Sequence, residues 1–399
     1  VNDVLAQVWR DEWGRLLALL VTQYRRLDLA EDGLGDAFEA AARTWPGDGV
    51  PTNPPAWLLT AARRRILDRL RAEAVAARKL PLLAVDSDAE ELVDMDEVPD
   101  ERLRLVLLCA HPSLPREAAA ALTLRLVLGV STADIARLFL VSTPTMAARL
   151  TRARKRLANE RFEVPDDLAE RVGVVADVAY LAFTAGYAPG SGADVLRADV
   201  SGEAIRLVRV LRSLLPGSGD WSDLDALLAL MLIQHSRRDA RVADGELVLL
   251  PDQDRTRWHR DEIAEALQLL LPLAMRPATS YLLQGLIAAE HAVAATAADT
   301  DWSRIAGHYA ELEHLTGSPV VRLNRAIAVA EADGPLAGLA VLDGLELPGH
   351  RLPGARAELL SRAGRTEEAR QEFDRAIDLC DNDAERSHLV ARRAMSDTP

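Results

Sequence analysis

Segment after segment of this chain sets its apolar residues at helical spacing, and that regularity leaves little room for a sheet. WGRLLALLVTQYRRL (13–27), DLAEDGLGDAFEAAARTW (28–45) and PAWLLTAARRRILDRLRAEA (55–74) each combine an apolar stripe with a charged face. Leucine and alanine, the strongest helix formers, dominate a sequence that is 49% hydrophobic but only 4% aromatic. The pattern predicts an all-α fold. One segment departs from it: in RVADGELVLLP (241–251) an Asp-Gly pair between apolar residues predicts one short β-hairpin. With 399 residues the chain exceeds one ordinary domain.

Charge marks the expected boundaries. Residues 1–163 carry 23 basic and 24 acidic side chains, against 24 and 37 in residues 164–399, so nearly all of the net charge of −14 sits in the second part. Ala84 to Glu101 (AVDSDAEELVDMDEVPDE) holds nine acids and no base. The division expected is a helical module over 1–75, an acidic linker over 76–100, a second helical module over 101–163, and an acidic helical extension over 164–399. A uniformly basic nucleic-acid coat is excluded, but a local basic patch is not. Cys109 and Cys380 lack CxxC spacing, which argues against a disulfide framework and a cysteine zinc site. No apolar run approaches the roughly 20 residues that span a bilayer, and no basic-then-apolar signal opens the chain. A soluble, cytoplasmic protein with no membrane partner, metal or cofactor is expected.

The segment TPTMAARLTRARKRLANER (143–161) carries the sharpest chemistry. Met146, Leu150, Ala153 and Leu157 form its apolar stripe, while Arg149, Arg152, Arg154, Lys155 and Arg156 cover the remainder. Ser131 is a candidate N-cap for the short helix before it, and Thr143 followed by Pro144 for this one. A short helix, a tight turn and a basic second helix read as a helix-turn-helix. Such a helix fits the major groove, where arginine pairs bidentately with guanine and other cations meet phosphates.

Two further helices add signals. On the Trp57 helix, Leu59, Ala62, Ile66 and Leu70 are the expected buried stripe, and Trp57, Arg64 and Arg71 share another face beside Arg63. An indole with a guanidinium row can stack unpaired bases and track a single-stranded backbone, and the loop at Thr52 and Asn53 could hold an extruded base. Taken alone, the helix suits a packed tryptophan with solvated arginines equally well. Asp28, Asp32, Asp36 and Glu39 form an acidic helix face opposite Ala30, Leu34, Phe38 and Ala41. That face fits a basic partner surface, though a solvated face is commoner.

The order of these parts resembles a bacterial RNA polymerase sigma factor of the extracytoplasmic-function type, which keeps only sigma regions 2 and 4. DLAEDGLGDAF is similar to the polymerase-binding segment of region 2, with Gly35 where glutamine is usual. WLLTAARRRILDRLR is similar to the −10 recognition helix, with Arg64 in place of the usual asparagine. GVSTADIARLFLVSTPTMAARLTRARKRL is similar to region 4, with Ala147 where a polar residue is frequent. The resemblance implies that Asp28, Glu31, Asp32, Asp36 and Phe38 bind the β′ clamp of core RNA polymerase. It likewise implies −10 contacts by Asn53, Trp57, Arg63, Arg64 and Arg71. The −35 element falls to Thr143, Thr145, Ala148, Arg149, Arg152 and Lys155, with region 4 seated on the β flap. Promoter DNA and core polymerase are the implied partners. The acidic linker would lie along the path of nascent RNA, and the chain itself would catalyse nothing.

The remainder resembles the subgroup of these factors with a long tetratricopeptide-like C-terminal extension, thought to regulate the sigma factor within one chain through a protein or ligand partner. HRLPGARAELLSRAGRTEEARQEFDRAIDLCDND (350–383) fits one 34-residue repeat, with Ala357, Leu360, Gly364, Ala369, Phe373 and Ala376 at its small and apolar positions. The tetratricopeptide-like part is expected toward 320–399. The charge asymmetry suggests that the acidic extension meets the basic helices 57–71 and 143–156. The cluster of His235, Arg237, Arg238, Asp239, Asp252, Asp254, Arg257, Trp258 and His259 is expected to pin the hairpin through ion pairs, and lacks metal-site order. A one-component helix-turn-helix regulator with a tetratricopeptide-like sensor is the alternative. It would need neither the Trp57 helix nor the acidic face. A metal-dependent enzyme in the C-terminal half is a third.

Overall fold

The structure, a computed structural model, describes residues 2–76, 98–139, 141–157, 160, 168–187, 198–243, 246–380 and 383–395. Residues 77–97 of the expected acidic linker therefore lie outside the described residues. The chain divides into two compact units, one of residues 1–188 and 197–220, the other of 189–196 and 221–399.

In the first unit α1 (Asn2–Tyr24), α2 (Leu27–Asp48) and α3 (Pro54–Ala76) form one helical module. Arg25, at φ 54, turns the chain between α1 and α2. The core is aromatic. Trp13 and Trp45 are almost fully buried, and Trp9 and Trp13 stack at 4.2 Å with Phe38 edge-on to Trp9. Helix α2 runs on through Pro46 to Asp48, where Gly49 at φ 86 donates back to the Trp45 carbonyl. The run PGDGVPTNPP (46–55) predicts a break from Pro46, but the helix ends only at Gly49, because a proline in the last turn still accepts helical φ. Asn53 then caps α3, its side-chain oxygen accepting the Ala56 N–H at 3.2 Å. The stripe of α3 is Leu58, Ala62 and Ile66, all fully buried, whereas Leu59 and Leu70 are half-buried.

The second module contains α4 (Val98–Cys109), α5 (Arg116–Leu126), α6 (Thr132–Leu138) and α7 (Thr143–Leu157). Ser131 caps α6 by accepting the Asp134 N–H at 3.1 Å. The cap of α7 is Ser142, not Thr143: the Ser142 hydroxyl accepts the Thr145 N–H at 3.3 Å and its carbonyl accepts from Met146. Thr143 is already helical, and a serine one place earlier meets the same orphan donors. Two helices that the charge pattern groups with the extension, α8 (Leu168–Tyr187) and α9 (Ala198–Leu214), pack on α4 and α5 inside this same unit.

The second unit is built from consecutive helices: α10 (Ser222–His235), α11 (Arg260–Leu270), α12 (Ser280–Val293), α13 (Trp302–Thr316), α14 (Pro319–Asp333), α15 (Pro335–Val341), α16 (Arg351–Arg362), α17 (Thr366–Asp378) and α18 (Asp383–Met395). Helix α10 is buried on every side from Ala226 to Ile233 and serves as the axis for α11 and α12. Between α10 and α11, β1 (Val242–Ala243) pairs antiparallel with β2 (Glu246–Leu247). The two residues joining them lie outside the described residues. Helices α14 and α15 approach so closely at Gly338 that an added Cβ would stand 2.7 Å from the Ala326 carbonyl oxygen.

Candidate nucleic-acid interface

Helix α7 buries Met146, Leu150, Ala153 and Leu157, the stripe its spacing predicts. Thr143, Thr145, Ala148, Arg152, Lys155 and Arg156 are exposed. Its other two arginines are engaged at the sides. Arg149 is half-buried and pairs with Glu117 of α5 at 2.9 Å, and Arg154 turns inward to Glu31 of α2 at 2.6 Å. The outward face therefore carries three cations among small residues, a shape that lets a helix backbone come close to a groove.

On α3, Arg64 and Arg71 are exposed, and Arg71 pairs with Asp68 one turn away at 3.3 Å. Trp57 is half-buried, its ring edge-on to Trp45 at 5.6 Å. Arg63 is half-buried with its Nε shut off from solvent. Asn53 is exposed beside the first turn. Trp57, Arg64, Arg71 and the Asn53 loop thus leave a rim of one aromatic edge and two guanidinium groups.

The acids of α2 are distributed differently. Asp28, Asp32 and Glu39 are exposed, and Asp36 is half-buried. A hydrogen bond from Arg26 holds the Asp28 carboxyl below its ordinary range, against a smaller opposing effect of burial. One guanidinium serves the next two: Arg69 of α3 donates to Asp32 at 2.7 Å and to Asp36 at 2.9 Å. Glu31 and Phe38 point inward. Glu31, 6% exposed, accepts from Arg125 of α5 at 2.7 Å as well as from Arg154, and Phe38 belongs to the tryptophan core. A shallow apolar depression of about 460 Å³, lined by Leu5, Ala6, Trp9, Gly35, Phe38 and Glu39, flanks the exposed acids. At Gly35 an added Cβ would meet nothing within 4 Å, so packing does not demand the glycine there.

The two helical modules of the first unit are fitted together. The Trp9 indole donates to the Gly129 carbonyl at 3.0 Å. Gly14 lies so close to α5 that a Cβ would stand 2.2 Å from the Val127 carbonyl oxygen. Arg206 of α9 ties both sides, donating to the Leu128 carbonyl at 3.0 Å and to the Arg10 carbonyl. Arg69, Arg125 and Glu117 are ion-pair partners of candidate site residues that sequence spacing does not single out; each faces its acid or base from a helix more than 30 residues away.

In the second unit His235, Arg238, Asp239 and His259 do converge, around a residue the sequence cluster lacked. Glu262 of α11 accepts from Arg238 at 2.9 Å and lies 3.0 Å from His235 Nδ1. His259 bridges Arg238 and Asp239 at 3.0 and 2.7 Å. Burial raises the Glu262 carboxyl, but its bonds to His235 and Arg238 outweigh that and hold it low. Arg237 and Arg255 instead approach the buried Trp258 ring, at 6.0 and 4.5 Å. In the first unit Cys109 is fully buried, and that burial pushes its thiol up.

Three family models match the chain: Sigma-70 region 2 over residues 10–75, Sigma-70, region 4 over residues 104–157, and a family of unknown function (DUF6596) over residues 171–273. An uncharacterized protein of Rhizobium meliloti (strain 1021) is 41% identical over 391 residues, covering 94% of this chain and 91% of the relative. No solved structure matches the chain. Among the described residues no helix is long and apolar enough to cross a membrane.

Proposed function

Because the chain belongs to the sigma-70 family, as an extracytoplasmic-function-like sigma factor with a C-terminal extension, we propose that it directs core RNA polymerase to a particular set of promoters and that the extension sets this activity from within the same chain. The observation that carries the proposal is the division of charge on three helices. The exposed acids Asp28, Asp32 and Glu39 lie on α2, and the exposed cations Arg64 and Arg71 on α3 and Arg152, Lys155 and Arg156 on α7, in the order in which the two sigma regions match.

In this reading Asp28, Asp32 and Asp36 seat the factor on the β′ clamp, with Phe38 packing the helix behind them. Trp57, Arg63, Arg64, Arg71 and Asn53 capture unstacked −10 bases. Thr143, Thr145, Ala148, Arg149, Arg152 and Lys155 face the −35 element while region 4 sits on the β flap. The linker over 76–100 follows the path of nascent RNA, between modules at 1–75 and 101–163. The chain acts in the cytoplasm and supplies no covalent chemistry. Glu31 takes a different part from its neighbours: its pairing with Arg154 supports a resting form in which α2 and α7 restrain each other.

The extension over 164–399 is read as helical and regulatory, with a small hairpin at 242–247 and a tetratricopeptide-like end. Supporting that end, α16 and α17 pack together and bury Ala357, Leu360, Ala369, Phe373 and Ala376, and Gly364 between them takes φ 74.

Run-off transcription with purified core polymerase and the full chain tests the proposal. Transcripts starting at defined promoters are expected. Duplex binding without any transcript would instead favour a one-component helix-turn-helix regulator, for which the exposed face of α7 would suffice.

A further inference from the structure

We propose that His350, Cys380 and Glu385 form a zinc site that fastens α18 to the α16–α17 pair. None of the three belongs to the surfaces assigned to polymerase or promoter. One nitrogen, one sulfur and one oxygen donor from these side chains all lie within 4.8 Å of one another. They arrive from separate elements: His350 stands just before the first residue of α16, Cys380 follows the end of α17, and Glu385 lies in the first turn of α18. His350 Nε2 is 2.9 Å from a Glu385 carboxylate oxygen. The Cys380 residue is fully buried, and Arg386 Nε donates to its carbonyl at 3.0 Å, which fixes the backbone that carries the thiol.

The donor chemistry selects the metal. A thiolate with an imidazole suits zinc and disfavours calcium and magnesium, which take oxygen ligands. Zinc bonds of about 2.0–2.3 Å in a tetrahedron separate neighbouring donors by roughly 3.3–3.8 Å. To reach that spacing the His350–Glu385 contact opens by about half an ångström, and donors as far apart as the 4.8 Å limit close by about one ångström as they turn toward the ion. Charge also balances. One Zn²⁺, one thiolate, one carboxylate and one neutral imidazole sum to zero, so the buried sulfur can ionise without leaving net charge in an apolar setting. The thiol proton goes to solvent on binding, and water completes the fourth position.

The test is a zinc titration of the full chain, stripped with a chelator and then competed against a chromophoric one, with Co²⁺ as a spectroscopic substitute. One equivalent of zinc retained through gel filtration is expected, and Co²⁺ should give a thiolate-to-cobalt charge-transfer band with tetrahedral d–d absorption. Cys380→Ser should abolish the charge-transfer band, while Cys109→Ser, which alters the other cysteine, should keep it. His350→Gln and Glu385→Gln act at partly exposed positions that leave the core packing intact, and each should weaken zinc by roughly 100-fold or more. No retained zinc in the parent chain would overturn the site. So would an undiminished equivalent in Cys380→Ser or in both surface variants, which would place the metal elsewhere.

Discussion

The Glu31 carboxylate lies 2.6 Å from the Arg154 guanidinium, joining the acidic helix α2 to the helix whose outer face carries the cations of the helix-turn-helix. With Arg125 at 2.7 Å on the other oxygen, a nearly buried anion is shared by two modules. A buried pair is costly to break from one side, about 3–5 kcal/mol when one partner is left uncompensated. Glu31→Gln leaves Arg125 and Arg154 facing each other without a counter-ion. We expect faster hydrogen exchange at α5 and α7 and a larger radius of gyration, with affinity for core polymerase maintained. Loss of polymerase binding without loosening would make Glu31 a direct contact instead.

Gly14 tests the same docking by shape. A methyl group there would collide with the Val127 carbonyl, which is backbone of the neighbouring module and cannot rotate away. Overpacking of this kind costs about 1–3 kcal/mol. Gly14→Ala should therefore lower the melting temperature and break the Trp9–Gly129 hydrogen bond, read as a shift in tryptophan emission. Gly35→Ala, where the space is open, should leave both unchanged.

The acids of α2 give predictions of opposite sign. Arg69 occupies Asp32 and Asp36 from the same module, and all three side chains are more than a third exposed. Exposed pairs are worth about 0–1 kcal/mol each, so the occupation is easily exchanged for a basic partner. Reversing Asp32 and Asp36 to lysine should abolish binding to core polymerase. Arg69→Ala should preserve it or tighten it up to about fivefold, since about 1 kcal/mol of competition disappears. A binding assay with both variants separates the two effects.

On α7, Arg152 and Lys155 share the exposed face but should fail differently. Arg152→Ala should cost about 1–3 kcal/mol of promoter affinity and relax preference at one base pair. Lys155→Ala should weaken all sequences alike and lower the slope of log K against log salt by about one. Equal losses on specific and random duplexes for both variants would reduce α7 to a phosphate-binding face.

The helices and the stripe of α7 were legible because periodicity records which side is buried, and Ser131 declared its cap by residue type. What escaped was set by partners distant in the chain. Nothing in the spacing of Glu31 distinguishes it from Asp28 or Asp32; the two arginines that draw it inward come from α5 and α7. Leu58 and Leu59 are chemically alike, and only the crossing of α3 on α2 decides that Leu58 is the one buried. The α8–α9 pair carries no charge signature of the module it joins. The His350, Cys380 and Glu385 group shows no metal-ligand spacing because each residue comes from a different helix end.

His291 sets a pH dependence whose sign is opposite to that of a salt-bridged histidine. Its ring sits edge-on to Trp302 at 5.1 Å. Burial first, then the charges of Arg237 and Arg255, lower its pKa from 6.5 to about 4. The folded chain therefore keeps the imidazole neutral while the unfolded chain protonates it as pH falls through 6.5. Stability is complete above that value and declines down to about 4, below which both states carry the proton. Scaled at about 1.4 kcal/mol per pH unit and discounted for partial exposure, the loss across the window is about 2–3 kcal/mol. Thermal melts between about pH 7 and pH 5 should show a falling midpoint for the parent chain. His291→Phe, which keeps the ring contact and removes the titration, should flatten that slope, and an equal decline in both proteins would assign it to other groups.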